Sequence, residues 1–388
     1  MSKNVRVAIL GVGNMGGRYA HLLQEGRIQG MELAALTRVR GKVKEDLQPS
    51  IDAGVVVYQE AGELLDAVEQ GKLALDAVII ATPHTSHEAL AVRAFMLGLH
   101  VLTDKPAGVY LRQAIHMNQA ADESGKVYGM VFNQRTNPVY QQMKAIVESG
   151  QYGKLKRVNW VVTDWYRPEK YYSSSSWHAR WDTDGGGVLL NQCPHNLDLL
   201  QWICKMPVKV QGFCKEGRFH QIEVEDDVTA YLEWENGATG TFITSTGDAP
   251  GVNRLEVSLD EAMLICEHGK LRILEIEPEM GMKEAEYMAT SEDFFRKFQG
   301  TERVMELPGE ENPYDVILQS FANAILGTGS LVADGREGYA SLLLSNAIYL
   351  SSWQQRMVEL PAMETAEETR FNQEFEAILE EKKSHKVK

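Results

Sequence analysis

The residues best suited to act on a hydroxyl group are a lysine and a histidine. Lys105 lies between Asp104 and Pro106, directly after a short apolar run. Its ammonium group can polarise an oxygen atom, and the imidazole of His195, whose ordinary pKa is near neutrality, can take up a proton. We therefore expect Lys105 to contact the substrate and His195 to act as general base. The alternatives are an exposed loop lysine and a core histidine that caps its helix.

Two further polar residues lie close to His195 in the sequence. Asn191 precedes it by four residues and Asp198 follows it by three. An amide can orient a substrate through hydrogen bonds but cannot accept a proton. Asp198 lies on the same helical face as His195 and could steady the imidazolium. Lys105, His195, Asn191 and Asp198 form the predicted catalytic set.

A glycine-rich turn near the start of the chain predicts a dinucleotide site. Gly11, Gly13 and Gly16 follow the first apolar run and open a helical stretch, with Asn14 and Met15 between them. The first glycine permits a tight turn, the second lets a pyrophosphate approach the backbone, and the third lets the helix pack on the strand. Phosphate would then meet free amide groups at a helix N-terminus. A glycine-rich turn without a ligand is the alternative.

The end of the second predicted strand bears on which nucleotide binds. A dinucleotide site usually carries an acid there that binds the ribose 2'-hydroxyl, but this chain has Thr37 and Arg38. These side chains can hold a 2'-phosphate, and Arg40 and Lys42 add positive charge nearby. The sequence therefore favours NADP(H) over NAD(H), with a solvated basic turn as the alternative.

Composition limits the partners of the chain. It has 388 residues, of which 44% are apolar and 24% charged, which suits a globular protein with two domains. A formal net charge of -15 disfavours nucleic-acid and anionic-membrane surfaces. Because we find no apolar run of membrane-spanning length and no basic-then-apolar leader, we expect a cytoplasmic protein. The four cysteines lack C-x-x-C or metal-finger spacing, which predicts buried thiols, no disulfide and no metal.

Two patterns of apolar residues divide the chain. Short apolar runs alternate with helical stretches at 5–10, 32–36, 77–81, 100–102 and 127–132, which predicts a doubly wound parallel sheet of the Rossmann type. After Asn137-Pro138 a helix leads into strands that alternate apolar and polar residues, as in an antiparallel sheet. The predicted fold is therefore α/β, with a Rossmann domain at 1–134 and an α+β domain with a large, mostly antiparallel open sheet at 135–388. Residues 314–326 and 338–357 are predicted as helices that close the second domain, and the tail from about 364 as partly disordered.

Four short motifs occur together in this chain. They are the glycine turn, the run Ala81-Thr82-Pro83-His84-Thr85-Ser86-His87, the triplet Asp104-Lys105-Pro106, and the run from Gly185 to Asp198. Together they resemble the glucose-fructose oxidoreductase / inositol dehydrogenase / MocA (Gfo/Idh/MocA) family, over the chain up to about residue 360. The resemblance implies a Rossmann domain followed by a domain whose open sheet often mediates dimers or tetramers. It also implies pyridine-nucleotide chemistry on sugars and cyclic polyols.

The resemblance assigns roles to single residues. The lysine of the family's Glu-Lys-Pro motif corresponds to Lys105, with Asp104 in place of the glutamate, and a cis peptide is implied before Pro106. The family's aspartate four residues before the histidine corresponds to Asn191, so the carboxylate's share of an acid/base pair is lost. The residues expected to bind the cofactor are Gly11, Gly13, Asn14, Met15, Gly16, Thr37, Arg38, Ala81, Thr82, Pro83, His84, His87, Asp104 and Lys105.

Aromatic residues and arginines precede the glycines of the second domain. Trp165, Arg167, Trp177 and Trp181 lie around a serine run. Aromatic rings stack on sugar rings and arginines bind hydroxyls or carboxylates, so the cluster is predicted to form a substrate wall, although a core role fits as well. The predicted substrate-binding set is Asn133, Arg135, Trp165, Arg167, Trp177, Trp181, Asn191 and His195.

The predicted reaction is hydride transfer between NAD(P)(H) and a secondary hydroxyl or ketone of a sugar, glycoside or cyclic polyol. His195 would take the hydroxyl proton while Lys105 polarises the oxygen. Two alternatives stay open: a redox-assisted glycosidase whose bound NAD is only transiently reduced, and a non-catalytic nucleotide-sensing regulator. The expected partners are a small carbohydrate or polyol and further copies of the chain, as homodimer or homotetramer, but no nucleic acid and no membrane.

Overall fold

A computed structural model of the protein describes residues 4–38, 45–174, 178–276, 289, 292, 300–309 and 311–384. These residues form two lobes, each built on one sheet. Within them, no helix is both long and apolar enough to span a bilayer. The same residues contain no group of three or more histidine, cysteine or acidic side chains placed to hold a metal ion. All four cysteines are free thiols, and three of them are buried.

The first lobe is a parallel sheet wrapped by helices. Its strands are β1 (Val5–Leu10), β2 (Met31–Thr37), β3 (Val56–Tyr58), β4 (Ala77–Ile80), β5 (His100–Thr103) and β6 (Tyr128–Met130). Its helices are α1 (Asn14–Gln24), α2 (Gln48–Asp52), α3 (Ala61–Glu69), α4 (His87–Met96) and α5 (Leu111–Ser124). The six strands lie in the order β3-β2-β1-β4-β5-β6 and all pairs are parallel, which confirms the predicted doubly wound sheet. The prediction missed β3, because three residues are too few to show a period.

The second lobe is an open sheet with helices packed on one face. Its strands are β7 (Leu155–Val162), β8 (Lys209–Glu216), β9 (Glu225–Glu233), β10 (Thr239–Ser245), β11 (Asn253–Leu259), β12 (Ala262–Glu267), β13 (Lys270–Ile276), β14 (Gly300–Val304) and β15 (Val358–Glu359). The helices that follow the first lobe are α6 (Pro138–Ser149), α7 (Glu169–Ser173), α8 (Val188–Asn191), α9 (Pro194–Cys204), α10 (Pro313–Leu326), α11 (Gly338–Gln354) and α12 (Ala366–Ser384). The nine strands lie in the order β14-β13-β12-β11-β7-β10-β9-β8-β15. Only β7 and β10 pair in parallel, so the predicted large, mostly antiparallel sheet is confirmed.

Helix α10 packs on the first sheet and not on the second. Ile317 and Phe321 share an apolar cluster with Ile9 of β1. The ring of Tyr314 lies 5.9 Å from the ring of Tyr19 on α1. The prediction that residues 314–326 close the second domain was therefore wrong. An amphipathic pattern shows that a helix has a buried face, but it does not show which sheet that face covers.

The C-terminal segment forms a helix that is anchored on the second lobe. Phe371, Phe375 and Leu379 of α12 are buried, and the ring of Phe375 lies 5.2 Å from the ring of Trp353. This helix occupies residues 366–384 of the tail that was predicted as partly disordered, and three apolar residues spaced by four can anchor a helix even in a charged segment. Residues 385–388 lie outside the described residues.

Arg135 and Asp198 form a buried ion pair where the first lobe joins the second. Nε and Nη2 of Arg135 donate to the two carboxylate oxygens of Asp198 at 2.8 and 2.6 Å. Nη1 donates to Glu337 at 2.6 Å, and the guanidinium lies over the ring of Trp202. Only 1% of each side chain of the Arg135 and Asp198 pair is exposed. Because neither charge reaches water, each depends on the other for stabilisation.

Replacement of Arg135 by methionine should lower the free energy of unfolding by about 3–5 kcal/mol, because it leaves the Asp198 carboxylate buried without a counter-charge. The matched control is Arg93→Met, since the carboxylates that Arg93 contacts are more than half exposed and exposed pairs contribute about 1 kcal/mol or less. Urea denaturation followed by circular dichroism measures both. Equal losses for the two variants would show that the buried pair does not stabilise the fold.

Candidate active site

A cleft of about 670 Å³ opens between the two lobes. The carboxyl ends of β1, β2, β4 and β5 meet there, which is where open α/β sheets bind their ligands. The first lobe contributes Gly11, Gly13, Asn14, Met15, Thr37, Arg38, Glu60, Ala61, Ala81, Thr82, Pro83, His84, Asp104 and Lys105. The second contributes Ser174, His178 and Asn191. All predicted cofactor residues therefore line this cleft except Gly16 and His87.

The glycine turn leaves room for a ligand at the start of α1. Gly11 has a φ of +90°, and a Cβ added to it would lie 2.8 Å from the Ala81 carbonyl oxygen. A Cβ added to Gly16 would lie 2.1 Å from the Gly11 carbonyl oxygen, so this glycine lets the helix pack on the turn. A Cβ added to Gly13 would meet nothing within 4 Å. The backbone at Gly13 is thus open to the cleft, as a pyrophosphate site requires.

His87 fixes the loops beneath the cleft. Its Nδ1 lies 2.9 Å from the Pro106 carbonyl oxygen and its Nε2 lies 2.8 Å from the Thr82 carbonyl oxygen. Burial, and to a smaller extent the nearby His84, lower the pKa of His87 to about 4. A neutral ring can donate to only one of the two carbonyls. The His87 ring thus lies between the loops that follow β4 and β5, and it does not line the cleft.

The two residues predicted to hold a 2'-phosphate at the end of β2 differ in their surroundings. The Thr37 hydroxyl accepts a hydrogen bond from the Gly11 N–H at 2.7 Å, and the residue is only 2% exposed, so it supports the glycine turn. Arg38 lines the cleft, and its Nε is buried without a hydrogen-bond partner among the described residues. Glu60, which follows the β3 strand that the prediction missed, also lines the cleft. Arg40 and Lys42 lie outside the described residues.

Asp104 holds the lysine loop against α1. One carboxylate oxygen accepts from the Tyr19 hydroxyl at 2.9 Å and the other from the Lys105 N–H at 2.8 Å. Burial raises the pKa of Asp104, although the Lys105 charge acts in the opposite direction. The peptide bond between Lys105 and Pro106 is cis, as the resemblance implied. Asp104 thus fixes the backbone from which Lys105 extends.

Lys105 reaches from the first lobe to the second. Its Nζ donates to the Asn191 carbonyl oxygen at 2.7 Å. The side chain is partly exposed, yet surrounding protein atoms lower its pKa by burial, and the carboxylates of Asp104 and Asp184 oppose that effect. An ammonium group has three N–H donors. The hydrogen bond to Asn191 leaves further donors for a ligand oxygen in the cleft.

His195 carries an unsatisfied nitrogen and lies within the electrostatic influence of Lys105, although it is not among the residues that line the cleft. Its Nδ1 is buried and has no hydrogen-bond partner among the described residues. Burial, together with the positive charge of Lys105, holds the pKa of His195 well below its ordinary value. The ring is therefore neutral at neutral pH and can accept a proton. A buried, unpaired nitrogen of this kind indicates a place where a ligand hydroxyl can donate.

Asn191 is held by a carboxylate that the sequence analysis did not consider. Its Nδ2 donates to both oxygens of Asp184, at 3.1 and 3.3 Å, and its Oδ1 accepts from the Tyr171 hydroxyl at 3.3 Å. Asp184 also accepts from the Ala179 N–H at 3.0 Å. Nδ1 of His84, on the first lobe, lies 3.2 Å from the same carboxylate. Asp184 directly precedes Gly185, which is the sequence signal that could have drawn attention to it.

Three predicted site residues are placed elsewhere. Asp198 was predicted to steady His195, but both its carboxylate oxygens accept hydrogen bonds from Arg135. Arg135 was predicted to bind substrate and is instead the ion partner of Asp198. Burial raises the pKa of Asp198 to about 6. Trp181 is 2% exposed, donates from its indole N–H to the Glu223 carbonyl oxygen at 2.9 Å, and packs in the core. Sequence alone could not separate these residues from the site, because it does not show which polar and aromatic side chains are buried.

Of the other predicted substrate-binding residues, Arg167 packs on Tyr171. The guanidinium of Arg167 lies 5.1 Å from the Tyr171 ring, and the His178 ring stacks on the same ring at 5.1 Å and 11°. Nε1 of Trp165 and Oδ1 of Asn133 are buried without hydrogen-bond partners among the described residues. Trp177 lies outside the described residues. Tyr171 was not predicted, although it falls between the two aromatic motifs.

The three glycines before Asn191 pack against protein. The N–H groups of Gly187 and Leu189 each donate to a carboxylate oxygen of Glu225 at 2.9 Å. A Cβ added to Gly187 would lie 1.9 Å from the Glu225 carbonyl oxygen. Burial raises the pKa of Glu225 to about 7. These glycines therefore let the start of α8 pack closely against Glu225, whose carboxyl group accepts the N–H groups there. They do not serve to bring the backbone close to a ligand.

Two family models match the chain. The model described as "Oxidoreductase family, NAD-binding Rossmann fold" matches residues 5–132, and the "GFO/IDH/MocA C-terminal domain" model matches residues 140–265. The two matches correspond to the two lobes.

Curated relatives and a solved structure agree with these matches. The chain is similar to a 1-carboxy-3-chloro-3,4-dihydroxycyclohexa-1,5-diene dehydrogenase of Comamonas testosteroni, at 29% identity over 45% of this chain and 43% of the relative, so it spans less than half of that relative. It is 24% identical to the 1,5-anhydro-D-fructose reductase of Ensifer adhaerens over 81% of this chain and 90% of the relative. The WlbA dehydrogenase from Bordetella pertussis, solved with NADH and UDP-GlcNAcA, superimposes with a TM-score of 0.75 at 25% identity, over 93% of this chain and 99% of that one.

Proposed function

The chain belongs to the Gfo/Idh/MocA oxidoreductase family, and we propose that it transfers a hydride between a nicotinamide nucleotide and a secondary alcohol or ketone of a sugar, glycoside or cyclic polyol. The observation that carries the proposal is the hydrogen bond from Lys105 to the second lobe at Asn191, four residues before a histidine whose Nδ1 is unpaired among the described residues and which feels the lysine's charge. The named relatives are dehydrogenases and reductases of cyclic diols and sugars. They do not favour the glycosidase or the regulator that the sequence left open.

The cleft residues fit a dinucleotide. Gly13 is open to the cleft at the start of α1, and the Nε of Arg38 lacks a partner. Asn14, Met15, Ala81, Thr82 and Pro83 continue the lining. A bound nicotinamide would accept or donate the hydride.

Lys105, His195 and Asn191 perform the proton and charge steps in this proposal. For oxidation, the substrate hydroxyl donates a hydrogen bond to the neutral His195 and passes its proton to that ring as the carbinol hydrogen leaves as hydride. The ammonium of Lys105 donates to the same oxygen and stabilises the charge that develops on it. Asn191 fixes the position of Lys105 through its carbonyl group. Reduction follows the same steps in reverse.

Lys105→Met should lower turnover by about 10²- to 10³-fold, as loss of one donor to a developing oxyanion does elsewhere, and should leave nucleotide affinity almost unchanged. Activity is measured as absorbance of the reduced nicotinamide, with a panel of sugars, glycosides and inositols and with both nucleotides. The matched control is Lys72→Met at an exposed position of the first lobe. A Lys105→Met variant with normal turnover would remove this lysine from the reaction.

The preference for NADP(H) rests, among the described residues, on Arg38. A guanidinium bonded to a 2'-phosphate contributes about 1.5–3 kcal/mol, so Arg38→Met should weaken NADP(H) binding by about 10- to 100-fold and NAD(H) binding far less. Isothermal titration of both nucleotides against both proteins measures the difference. Tighter binding of NAD(H) to the unmodified chain would reverse the preference, and Glu60 would then be the residue to examine as a ribose ligand.

A homodimer or homotetramer through the outer face of the second sheet is the assembly we propose. Strand register places Val161, Ile243, Thr229 and Phe213 in one row on that face, and Phe213 is 53% exposed. Light scattering after size exclusion should give a multiple of the 43.5 kDa protomer, and Phe213→Glu should reduce it. The control is Met96→Glu, at an exposed residue of the first lobe. A monomeric wild type would end this proposal.

The predicted cytoplasmic location stays a prediction.

A further inference from the structure

Asp184 lies buried behind Asn191, a residue that lines the cleft, and has no role in the proposed reaction. It is 1% exposed, although a buried carboxylate is costly unless it is paired and hydrogen-bonded. Its hydrogen-bond donors are the Ala179 N–H and the Asn191 amide, and His84 of the first lobe faces it at 3.2 Å. The carboxylate is thus held by an N–H, an amide and a histidine, without a lysine or arginine bonded to it among the described residues.

Lys105 is a cation on which the negative charge of Asp184 acts. The charge of Asp184 supports the protonated form of Lys105 against burial, in addition to Asp104 on the lysine's own loop. The titratable groups that face Lys105 are Asp104 on its loop, His84 and His87 on the β4 side, and Asp184, Cys193 and His195 in the second lobe. Asp104 is itself bonded to Tyr19 and to backbone in the first lobe. Of the two carboxylates that act on Lys105, Asp104 therefore belongs to the first lobe and Asp184 to the second.

The same side chain fixes the residue that Lys105 touches. Asn191 receives Lys105 on its carbonyl oxygen and gives its amide to Asp184. Since both Asp184 oxygens contact the Asn191 Nδ2, the amide is turned with Oδ1 toward Tyr171. One carboxylate thus sets the orientation of Asn191 and the charge around the lysine.

We propose that Asp184 is a positioning residue of the hydride-transfer site, which orients Asn191 and places a buried negative charge behind the residue that Lys105 contacts. It acts through Asn191 and Lys105 and does not touch the substrate oxygen. This role for Asp184 rests on the proposed function, because it presupposes that hydride transfer takes place at Lys105. The contacts that carry it are independent of which sugar or polyol binds.

The test measures the protonation of Lys105 directly. Trace acetic anhydride acetylates the neutral amine only, so the pH dependence of Lys105 labelling, followed by peptide mass spectrometry, reports its pKa. Asp184→Asn removes a charge at nearly constant shape and should move the labelling midpoint down by about one pH unit or more. At a pH below both midpoints, Lys105 should then label about tenfold faster. Asp182→Asn is the control, because Asp182 is exposed and pairs with Arg180.

Exchanging the two side chains at positions 184 and 191 distinguishes the effect of the lost charge from an effect on folding. In the double variant Asp184→Asn/Asn191→Asp, the new amide can donate to the new carboxylate and accept from the Ala179 N–H, so the hydrogen bonds and one negative charge are kept. We expect its Lys105 midpoint to return close to that of the unmodified chain. If the single variant does not fold, the double variant alone decides.

An unchanged midpoint in a folded Asp184→Asn protein, or a midpoint in the double variant that stays low, would overturn the inference. A chain that turns over no sugar or polyol would instead end the proposed function and leave the labelling result standing. The two failures are therefore distinguishable.

Discussion

The hydrogen bond from the Lys105 ammonium to the Asn191 carbonyl oxygen, 2.7 Å long, joins the two lobes at the point where the chemistry is proposed. It exists only because each end is fixed within its own lobe. On the first lobe, Asp104 is bonded to Tyr19 of α1 and holds the lysine backbone. On the second, Glu225 accepts the first N–H groups of α8, which ends at Asn191. A change of about 1 Å at either end would break this hydrogen bond and misplace the lysine, because catalytic geometry tolerates little displacement.

The buried carboxyl groups around this bond follow one rule. Asp104, Asp184 and Glu225 are all buried carboxyl groups, and each accepts two or more hydrogen bonds. Buried polar groups without partners are costly, so such satisfaction is expected of supporting residues. The buried Nδ1 of His195 differs from them, because it has no hydrogen-bond partner among the described residues. An unsatisfied nitrogen among satisfied neighbours is what a site that awaits a hydroxyl group should contain.

Local signals predicted the fold and the first lobe's half of the site. The glycine turn, the apolar runs and the triplet at Lys105 are short-range patterns. The apolar runs form strands of the first sheet, and the glycine turn and the triplet follow the carboxyl ends of β1 and β5. The contacts missed join residues far apart in sequence. His84 and Asp184 are 100 residues apart, and Arg135 meets Asp198 from 63 residues away. Periodicity shows that a side chain has a buried face, but only the fold shows whether it meets a ligand, an ion partner or the core.

The most direct measurement is a crystal structure of the chain with a reduced nicotinamide nucleotide and a polyol or sugar from the activity screen. We expect Lys105 Nζ and one imidazole nitrogen of His195 to lie within about 2.6–3.2 Å of the same ligand oxygen, the range in which proton transfer is possible. A complex in which that oxygen meets only one of the two groups, or in which the lysine and the histidine face separate compartments, would contradict the convergence on which the proposed chemistry depends.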